Sequence, residues 1–204
     1  MAPRVILASQ SAARRGIFAG FGINAEIYVT NADEYLCGCN PPREIVTKLS
    51  KRKAEKAFFE IGDPSALIVA ADTIVAHKGN ILGKPENAKN AFDMLSSLSG
   101  DYHEVYSGIT VIYKGITAGD FDVTKVKFRD IDKKELEAYV KTGDPMTKAG
   151  AYGAEGLGAA FIESLEGDFF NIAGLPVFKF VNILKNRFGL TIFDLSDLPE
   201  RIKI

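Results

Sequence analysis

The sequence has little of what marks secreted, membrane-bound or disulfide-stapled proteins. Only two of its 204 residues are cysteine, and no apolar run approaches the roughly 18 residues that a membrane-spanning helix needs. The apolar run near the N-terminus, residues 5–8, is too short for a signal peptide. We therefore expect a cytoplasmic protein that folds without disulfides.

The cysteine spacing and the charge balance narrow the chemistry further. Cys37 and Cys39 have one residue between them, which favours neither a relaxed disulfide nor a four-ligand zinc site, so we expect two reduced thiols in a loop.

The numbers of basic and acidic residues are nearly equal, with 25 Lys plus Arg against 26 Asp plus Glu. Proteins that bind duplex nucleic acids usually carry a basic excess. We expect a small anionic ligand in a local basic pocket instead.

Several common nucleotide and metal motifs are missing. The sequence has no G-x-x-x-x-G-K-[ST] loop, no G-x-G-x-x-G after a strand, and neither an H-x-x-x-H nor a C-x-x-C pair. These absences argue against a P-loop enzyme and against zinc-dependent hydrolysis. The two histidines, His77 and His103, are far apart in the chain, and we expect them to be structural or exposed.

What is present is the composition of an ordinary globular protein, with 47% hydrophobic and 25% charged residues, and a length that predicts one domain over residues 1–204. Short apolar runs alternate with helical patterns. We predict strands over 5–8, 26–30, 66–71 and 159–163, a hairpin of 103–113 with 116–128, and helices after Ser11 and over 42–61, 87–98, 132–141 and 176–188. This order predicts an α/β fold with a mixed, twisted sheet flanked by helices, and two lobes about a cleft.

Asp72 is the first residue that folding alone does not explain. It follows the apolar run 66–71, so we expect it at the carboxyl end of a central strand, where α/β sheets collect their ligand sites. A carboxylate there can hold a divalent metal or accept a proton from water. The alternative is a turn cap, since Asp-Thr is a common turn pair.

Lys53 interrupts the apolar stripe of the helix predicted over 42–61. Positions 45, 49, 53, 57 and 61 carry Ile, Leu, Lys, Ala and Ile, which places the lysine on the face that should meet the core. A core-facing cation must form a pair, bind an anion or extend its amine to solvent, and the sequence leaves all three open.

Three further segments carry groups suited to phosphates. Residues 7–15 form a strand-to-helix turn in which Ser9, Ser11 and Arg14 join free backbone N–H groups; plain capping with a surface arginine is the alternative. Lys84 precedes a proline, which restricts its backbone and suits a preorganised contact to phosphate. The alternative is an ordinary lysine in a turn. Residues 148–158 contain four glycines, which let the backbone approach a ligand or leave the loop flexible. Together they predict an α/β enzyme that binds a polyphosphate, directly or through a metal.

Taken in order, these segments resemble the motifs of the Maf family of nucleoside triphosphate pyrophosphatases. Residues 7–14 (LASQSAAR) resemble L-A-S-x-S-P-R-R, 71–75 (ADTIV) resemble A-D-T-[IV]-V, 83–85 (GKP) match G-K-P, 146–153 (MTKAGAYG) resemble x-D-K-A-G-A-Y-G, and 167–176 (GDFFNIAGLP) resemble G-D-Y-Y-N-V-x-G-L-P. The resemblance runs from about residue 4 to residue 189. Each motif is weak alone, and five in order are specific.

The resemblance implies hydrolysis of a nucleoside triphosphate to the monophosphate and pyrophosphate, with Mg²⁺ or Mn²⁺ as cofactor. It implies an inosine triphosphate pyrophosphatase-like fold with a deep ligand cleft, a housecleaning role linked to septum formation and division arrest, and is compatible with a homodimer. The matching positions are Asp72, Glu34, Lys53 and Lys84 as catalytic residues, Asp72 and Glu34 as metal ligands, and Ser9, Ser11, Arg14, Thr73 and Glu155 as substrate-binding residues.

Some positions depart from the family pattern. Ala12 and Ala13 replace Pro and the first Arg of S-P-R-R, and Thr147 replaces the Asp of D-K-A-G. Glu155 replaces a Gln and is similar to the branch that acts on 7-methyl-GTP, whereas Thr73 matches the dTTP/UTP branch. The base, and the division of roles between the two carboxylates, are left open. The alternatives are an inosine triphosphate pyrophosphatase-like enzyme and a nucleotide-binding regulator without turnover.

Overall fold

The computed structural model describes residues 3–32 and 41–197. The strands are β1 (Val5–Leu7), β2 (Glu26–Ile27), β3 (Leu67–His77), β4 (Asn80–Leu82), β5 (Tyr102–Tyr113), β6 (Ile116–Phe128) and β7 (Ile162–Glu166). The helices are α1 (Ala12–Gly20), α2 (Pro42–Ile61), α3 (Ala88–Leu98), α4 (Lys133–Lys141), α5 (Phe169–Ile172) and α6 (Val177–Ile183). No helix within these two ranges is long and apolar enough to cross a membrane. Glu34, Cys37 and Cys39 lie outside the described residues, so what the sequence suggests for them stays a prediction.

The strands form one mixed sheet in the order β2-β1-β3-β5-β6-β7, with β4 also paired to β3. β1 runs parallel to β2 and β3, and the other pairings of the described strands are antiparallel. The predicted α/β class with a mixed sheet is confirmed. So is the predicted hairpin, which pairs Tyr102 with Lys127 at one end and Tyr113 with Ile116 at the other.

Local sequence signals set most helix ends. The Ser11 hydroxyl accepts a hydrogen bond from the Arg14 N–H and so begins α1, and Asp132 begins α4 in the same way. Two strand boundaries were predicted wrongly. The strand predicted at 159–163 is β7, displaced because residues 157–161 form a 3-10 turn that buries Phe161, and the strand predicted at 26–30 is only Glu26–Ile27. The helix predicted over 176–188 ends at Phe188 as expected, but its last turn, Leu184–Phe188, is π-helical.

The prediction that Asp72 ends its strand is also wrong. β3 continues through Asp72 to His77, because it pairs with β5 from Ile68 opposite Ile112 as far as Ala76 opposite Glu104. This pairing joins residues that are distant in sequence, and it holds a polar residue in strand conformation whatever the local pattern favours.

On its other side, β3 is paired only at its two ends. β1 pairs with residues 67–69 and β4 with residues 75–77, both on the side away from β5. Residues 70–74 have no strand partner on that side within the part of the chain that the structure describes. We call this stretch the β3 gap. It lies beyond the carboxyl end of β1, and Asp72 lies within it, in the middle of β3 and not at the carboxyl end of that strand.

Apolar side chains cover both faces of the sheet. On one face Ile68 and Ala70 of β3 pack against Ala54 and Ala57 of α2. On the opposite face Val69 of β3 belongs to a cluster that includes residues of α1 and α6. Since successive residues of a strand point to opposite faces, Asp72 lies on the α2 side and Thr73 on the other.

Candidate active site

A buried ion pair occupies the α2 side of the β3 gap. Lys53 Nζ donates a hydrogen bond to Asp72 Oδ1 at 2.6 Å, and the two side chains are 14% and 11% exposed. α2 can lie this close to the sheet because Gly108 is paired opposite Asp72, and a Cβ at Gly108 would collide with the Val46 carbonyl of α2. Of the three fates that the sequence left open for Lys53, the structure shows the pair.

This pair is unusual for its surroundings. Removing two charges from water costs several kcal/mol per ion, and packed apolar residues in the same place would often stabilise the fold as well or better. The neighbours of Asp72 along β3 are apolar and buried, including Ala70, Ala71 and Ile74. Charges retained at such a position, beside an interrupted strand edge, indicate a functional site.

Arg14 lies against the opposite face of the β3 gap. Its Nε–H donates to the Gly174 carbonyl at 2.7 Å, one terminal nitrogen donates to Ser9 Oγ at 3.1 Å, and the other donates to Thr73 Oγ1 at 3.1 Å. Gly174 has a φ of +100°, which glycine adopts freely, and this conformation turns its carbonyl toward Arg14. The guanidinium therefore lies in a fixed position at the gap.

Ser9 and Ser11 organise the turn that carries Arg14. Ser9 is 7% exposed and its hydroxyl also accepts the Ser11 N–H at 3.2 Å. Ser11 caps α1 by accepting the Arg14 N–H. Both hydroxyls serve as local hydrogen-bond acceptors in this structure, so the capping role named as the alternative is present, and a direct contact to substrate stays a prediction.

Lys84 follows β4, on the side of β3 that faces away from β5. β4 runs antiparallel to β3 with Leu82 opposite Val75, so the chain after Leu82 runs back toward the gap. The side chain of Lys84 is exposed. The Gly83 carbonyl accepts the Gly150 N–H at 3.1 Å, which ties this segment to the glycine-rich loop.

The glycine-rich loop is held by a polar cluster of its own. Lys148 Nζ donates to Asp144 Oδ1 at 2.5 Å, and the Tyr139 hydroxyl donates to Asp144 Oδ2 at 2.6 Å. Burial alone would raise the pKa of Asp144, but the bonds from Lys148 and Tyr139 hold it below its usual value. Glu155 follows in a turn with its side chain exposed. This loop is therefore anchored at Lys148 while its tip is open to solvent.

Two residues of this arrangement were missed in the sequence. Ser107 and Asn171 are fully buried, and Ser107 contacts Thr73 while Asn171 lies three residues before Gly174. The available signals were a hydroxyl in the middle of a long apolar strand and an amide within the run Phe-Phe-Asn-Ile-Ala. Neither identifies a partner without the tertiary structure.

The site is distinguished by its chemistry and not by the size of its cavity. A cavity of about 670 Å³ lies near the far end of β3, lined by residues such as Ala76, Lys78 and Tyr102. Asp72, Lys53 and Arg14 do not line it. Ala76 lies four positions after Asp72, which is about 13 Å along a strand.

Comparison with known proteins identifies the family of the chain. The sequence profile of the Maf-like protein family matches residues 4–187. A dTTP/UTP pyrophosphatase of Alkaliphilus metalliredigens is 42% identical over 191 residues, which cover 93% of this chain and 98% of that protein. The protein of the same name from Clostridium tetani is 44% identical over 185 residues, covering 88% and 95%.

A solved structure, the Ham1 protein of Staphylococcus aureus, matches with a TM-score of 0.46 and 13% identity over 78% of this chain and 79% of that one. The family match covers nearly all of the chain and includes every site residue described above. The chain belongs to the Maf-like protein family.

Proposed function

We propose that this chain hydrolyses dTTP and UTP between the α- and β-phosphates, releasing pyrophosphate and the nucleoside monophosphate. The chain is a nucleoside triphosphate pyrophosphatase, a hydrolase that acts on a phosphoric anhydride, as are its relatives named dTTP/UTP pyrophosphatase. The observation that carries the assignment of residues is the buried Lys53–Asp72 pair at the β3 gap, with Arg14 across the strand.

Charge neutralisation is the first task of such a site. A triphosphate brings about four negative charges, and in-line attack by water adds charge to the phosphoryl oxygens. Arg14 presents a fixed guanidinium from one face of β3, Lys53 an ammonium from the other, and Lys84 approaches along the open edge. A polyphosphate lying across the β3 gap would meet cations on both sides.

Asp72 supplies the negative group of the proposed mechanism. Its carboxylate accepts the Lys53 hydrogen bond through Oδ1, and in the proposal it accepts a proton from the attacking water, which raises the nucleophilicity of that water. Lys53 offsets the carboxylate charge beside the incoming phosphates. Sharing Lys53 between the carboxylate and a phosphate would couple substrate binding to the state of Asp72.

A divalent cation fits the donor set. Within the described ranges no group of three or more His, Cys, Asp or Glu side chains could hold a metal by protein ligands alone. Mg²⁺, however, is commonly held by one or two carboxylates together with substrate phosphates and water. Asp72 would hold the ion, with Glu34 as the second carboxylate. When bound, the ion would neutralise charge that develops on the phosphates.

A pyrophosphate-release assay tests the proposal. Purified protein is mixed with dTTP, UTP, GTP, ITP and 7-methyl-GTP, with Mg²⁺, with Mn²⁺ or with a chelator. We expect the highest kcat/KM for dTTP and UTP, and loss of activity with the chelator. Binding without release from any triphosphate would support a nucleotide-binding regulator, and a preference for ITP would support an inosine triphosphate pyrophosphatase-like enzyme.

The base is tested at Glu155, whose carboxylate suits the paired N–H donors of guanine, whereas an amide suits uracil or thymine. If Glu155 contacts the base, Glu155→Gln shifts preference from guanine-type substrates toward UTP and dTTP by about 1–3 kcal/mol, the value of one satisfied polar contact. The measurement is kcat/KM for 7-methyl-GTP, GTP, UTP and dTTP on both proteins. An unchanged ratio across the four would leave Glu155 as an exposed loop residue.

A cytoplasmic location, a housecleaning role in nucleotide pools with a link to division arrest, and a homodimer belong to the same proposal. Each follows from the family resemblance and the expected substrate. Size-exclusion chromatography with light scattering would give the oligomeric state directly.

A further inference from the structure

A chain of buried polar groups extends from Arg14 into the core. Thr73 Oγ1, which accepts from Arg14, lies 2.7 Å from Ser107 Oγ, and Ser107 Oγ lies 2.9 Å from the Asn171 carbonyl oxygen. Ser107 and Asn171 are each 0% exposed. Buried polar groups of this kind are costly unless their hydrogen bonds are satisfied, so their arrangement restricts what each neighbour can do.

The direction of every hydrogen bond in this chain is fixed. A carbonyl oxygen only accepts, so the single hydroxyl hydrogen of Ser107 points to Asn171. Ser107 Oγ must then accept from Thr73, which uses the single hydroxyl hydrogen of Thr73. The oxygen of Thr73 is left with lone pairs only, and these accept the N–H of Arg14. Ser107 therefore makes Thr73 an acceptor toward the guanidinium.

The far end of the chain is anchored to the sheet. The Asn171 side-chain amide donates to the Val105 carbonyl at 2.9 Å and to Thr124 Oγ1 at 3.0 Å. Thr124 Oγ1 donates in turn to the Asp168 carbonyl at 2.9 Å. These bonds fix the segment that contains Asn171 against β5 and β6, so the carbonyl that receives Ser107 does not move independently of the sheet.

We infer that Ser107 is a positioning residue for Arg14, acting through the hydroxyl of Thr73. The inference rests on the proposed function in taking Arg14 as a phosphate ligand. The single hydroxyl hydrogen of Thr73 has two acceptors within reach, Ser107 Oγ at 2.7 Å and the Gly174 carbonyl at 3.4 Å. Ser107 holds it at the shorter distance, and without Ser107 the Gly174 carbonyl is the acceptor that is left. That carbonyl already accepts from Arg14 Nε, so the Thr73 hydroxyl competes with the Nε–H for it. The terminal nitrogen of Arg14 that donates to Thr73 then loses its defined acceptor.

The test is Ser107→Ala with Ser50→Ala as a matched control. Ser50 is also 0% exposed, donates to a backbone carbonyl, that of Thr47, at 3.1 Å, and pairs with a second hydroxyl, Thr110 Oγ1, at 3.1 Å. We expect Ser107→Ala to lower kcat/KM about tenfold, the loss of one well-formed hydrogen bond. Ser50→Ala should change it less than twofold.

A double-mutant cycle separates positioning from a general loss of packing. Thr73→Val keeps the branched shape and removes the hydroxyl, and we expect the Ser107→Ala, Thr73→Val double variant to be no worse than Thr73→Val alone, within twofold. If the losses of kcat/KM in the two single variants multiply in the double variant, the inference is overturned. Should Ser107→Ala fail to fold, Thr73→Ser must retain several-fold more kcat/KM than Thr73→Val, and equal values overturn it.

Solvent exchange of the Arg14 Nε–H, followed by nitrogen-15 NMR, gives a readout that does not depend on turnover. We expect exchange to be faster in Ser107→Ala and unchanged in Ser50→Ala. Equal exchange in wild type and Ser107→Ala would overturn the inference even if the enzyme is active. Failure of the wild type to release pyrophosphate would instead overturn the proposed function.

Discussion

Two polar clusters of the sheet, one at the β3 gap and one on β5 near the far end of β3, differ in how they keep charge. At the gap, Lys53 and Asp72 retain opposite charges at close contact. At the far end, His103 Nε2 and the Tyr152 hydroxyl form a hydrogen bond of 2.8 Å inside an aromatic cluster that includes Phe128. Burial and the nearby His77 lower the pKa of His103 to about 4, and burial raises the pKa of Tyr152. At neutral pH that second pair is uncharged.

The difference shows how to tell a site from a structural cluster. A buried polar pair that only supports the fold is most easily kept neutral, because neutral groups are cheaper to desolvate. The His103–Tyr152 pair follows this rule, in agreement with the prediction that the histidines are structural or exposed. The Lys53–Asp72 pair does not follow it, and the proposed function gives a reason, since an anionic substrate bound near Arg14 and Lys84 would need the charges.

The largest effect that would test this contrast is expected from Asp72→Asn. The change keeps the shape of the side chain and removes the charge that proton acceptance or metal binding requires, so turnover should fall by about 10²–10⁴-fold. The measurement is the pyrophosphate-release rate on the best substrate, with circular dichroism to verify folding. Asp93→Asn, at a surface pair with Lys89, is the matched control and should leave the rate unchanged. A folded Asp72→Asn protein with a near-normal rate would remove Asp72 from the mechanism.

Lys53→Met should come next in size. Turnover falls because a phosphate ligand is lost, and the free energy of unfolding falls by about 1–3 kcal/mol because the buried Asp72 carboxylate loses its ammonium partner. Urea unfolding at pH 7 measures the second effect. Adding Asp72→Asn to Lys53→Met should recover part of the lost stability. If Lys53→Met were as stable as the wild type, the pair would not be a buried pair in solution.

The stability contributed by the His103 cluster should depend on pH. The unfolded chain binds a proton at His103 near pH 6.5 and the folded chain only near pH 4. Between these values the unfolded state holds more protons, so stability falls as the pH is lowered, by up to about 1.4 kcal/mol per pH unit. Urea unfolding from pH 7.5 to pH 4.5 should show this slope, and it should shrink in His103→Gln. Activity at pH 7.5 should stay within twofold of wild type. An unchanged slope would mean that His103 is not the titrating group.

The smallest effect is expected on the solvent side of α2. Lys56 pairs with Glu60 at 3.2 Å, and both side chains are about two-fifths exposed. Exposed pairs of this spacing contribute about 0.3–0.5 kcal/mol, so Lys56→Ala should change stability by less than about 0.5 kcal/mol and leave turnover unchanged. Measured beside Lys53→Met, it gives the scale for a more exposed lysine about one turn further along the same helix. A loss as large as that of Lys53→Met would make exposure a poor guide to either residue.

The sequence predicted the elements whose signals are local. Ser11 and Asp132 cap helices, and the alternating pattern on both sides of Lys114-Gly115 indicates a hairpin, because these patterns act over a few residues. It also placed Lys53 on the buried face of α2. It did not predict that β3 continues past Asp72, because that depends on backbone pairing with a distant strand, Asp72 opposite Gly108.

The site was predicted less completely than the fold. Asp72, Lys53 and Arg14 were singled out, the first two because a charge interrupts or ends an apolar pattern. Their partners were not predictable: Thr73 reaches Arg14 only because a turn near Gly174 folds back over the sheet. Ser107 and Asn171 carry no charge and lie within apolar stretches, so nothing in the local pattern marks their side chains as connected to Arg14.

The continuous strands beneath the gap also have a mechanical consequence. β3, β5 and β6 run without a break from the apolar cluster near β1 to the cluster near α3, joined by an antiparallel ladder along most of their length. A three-stranded floor of this kind resists bending, because bending strains many hydrogen bonds at once. The two sides of the gap therefore form a stiff frame, and under the proposed function we expect substrate to enter and pyrophosphate to leave by movement of the loops at its rim and not by a hinge through the sheet.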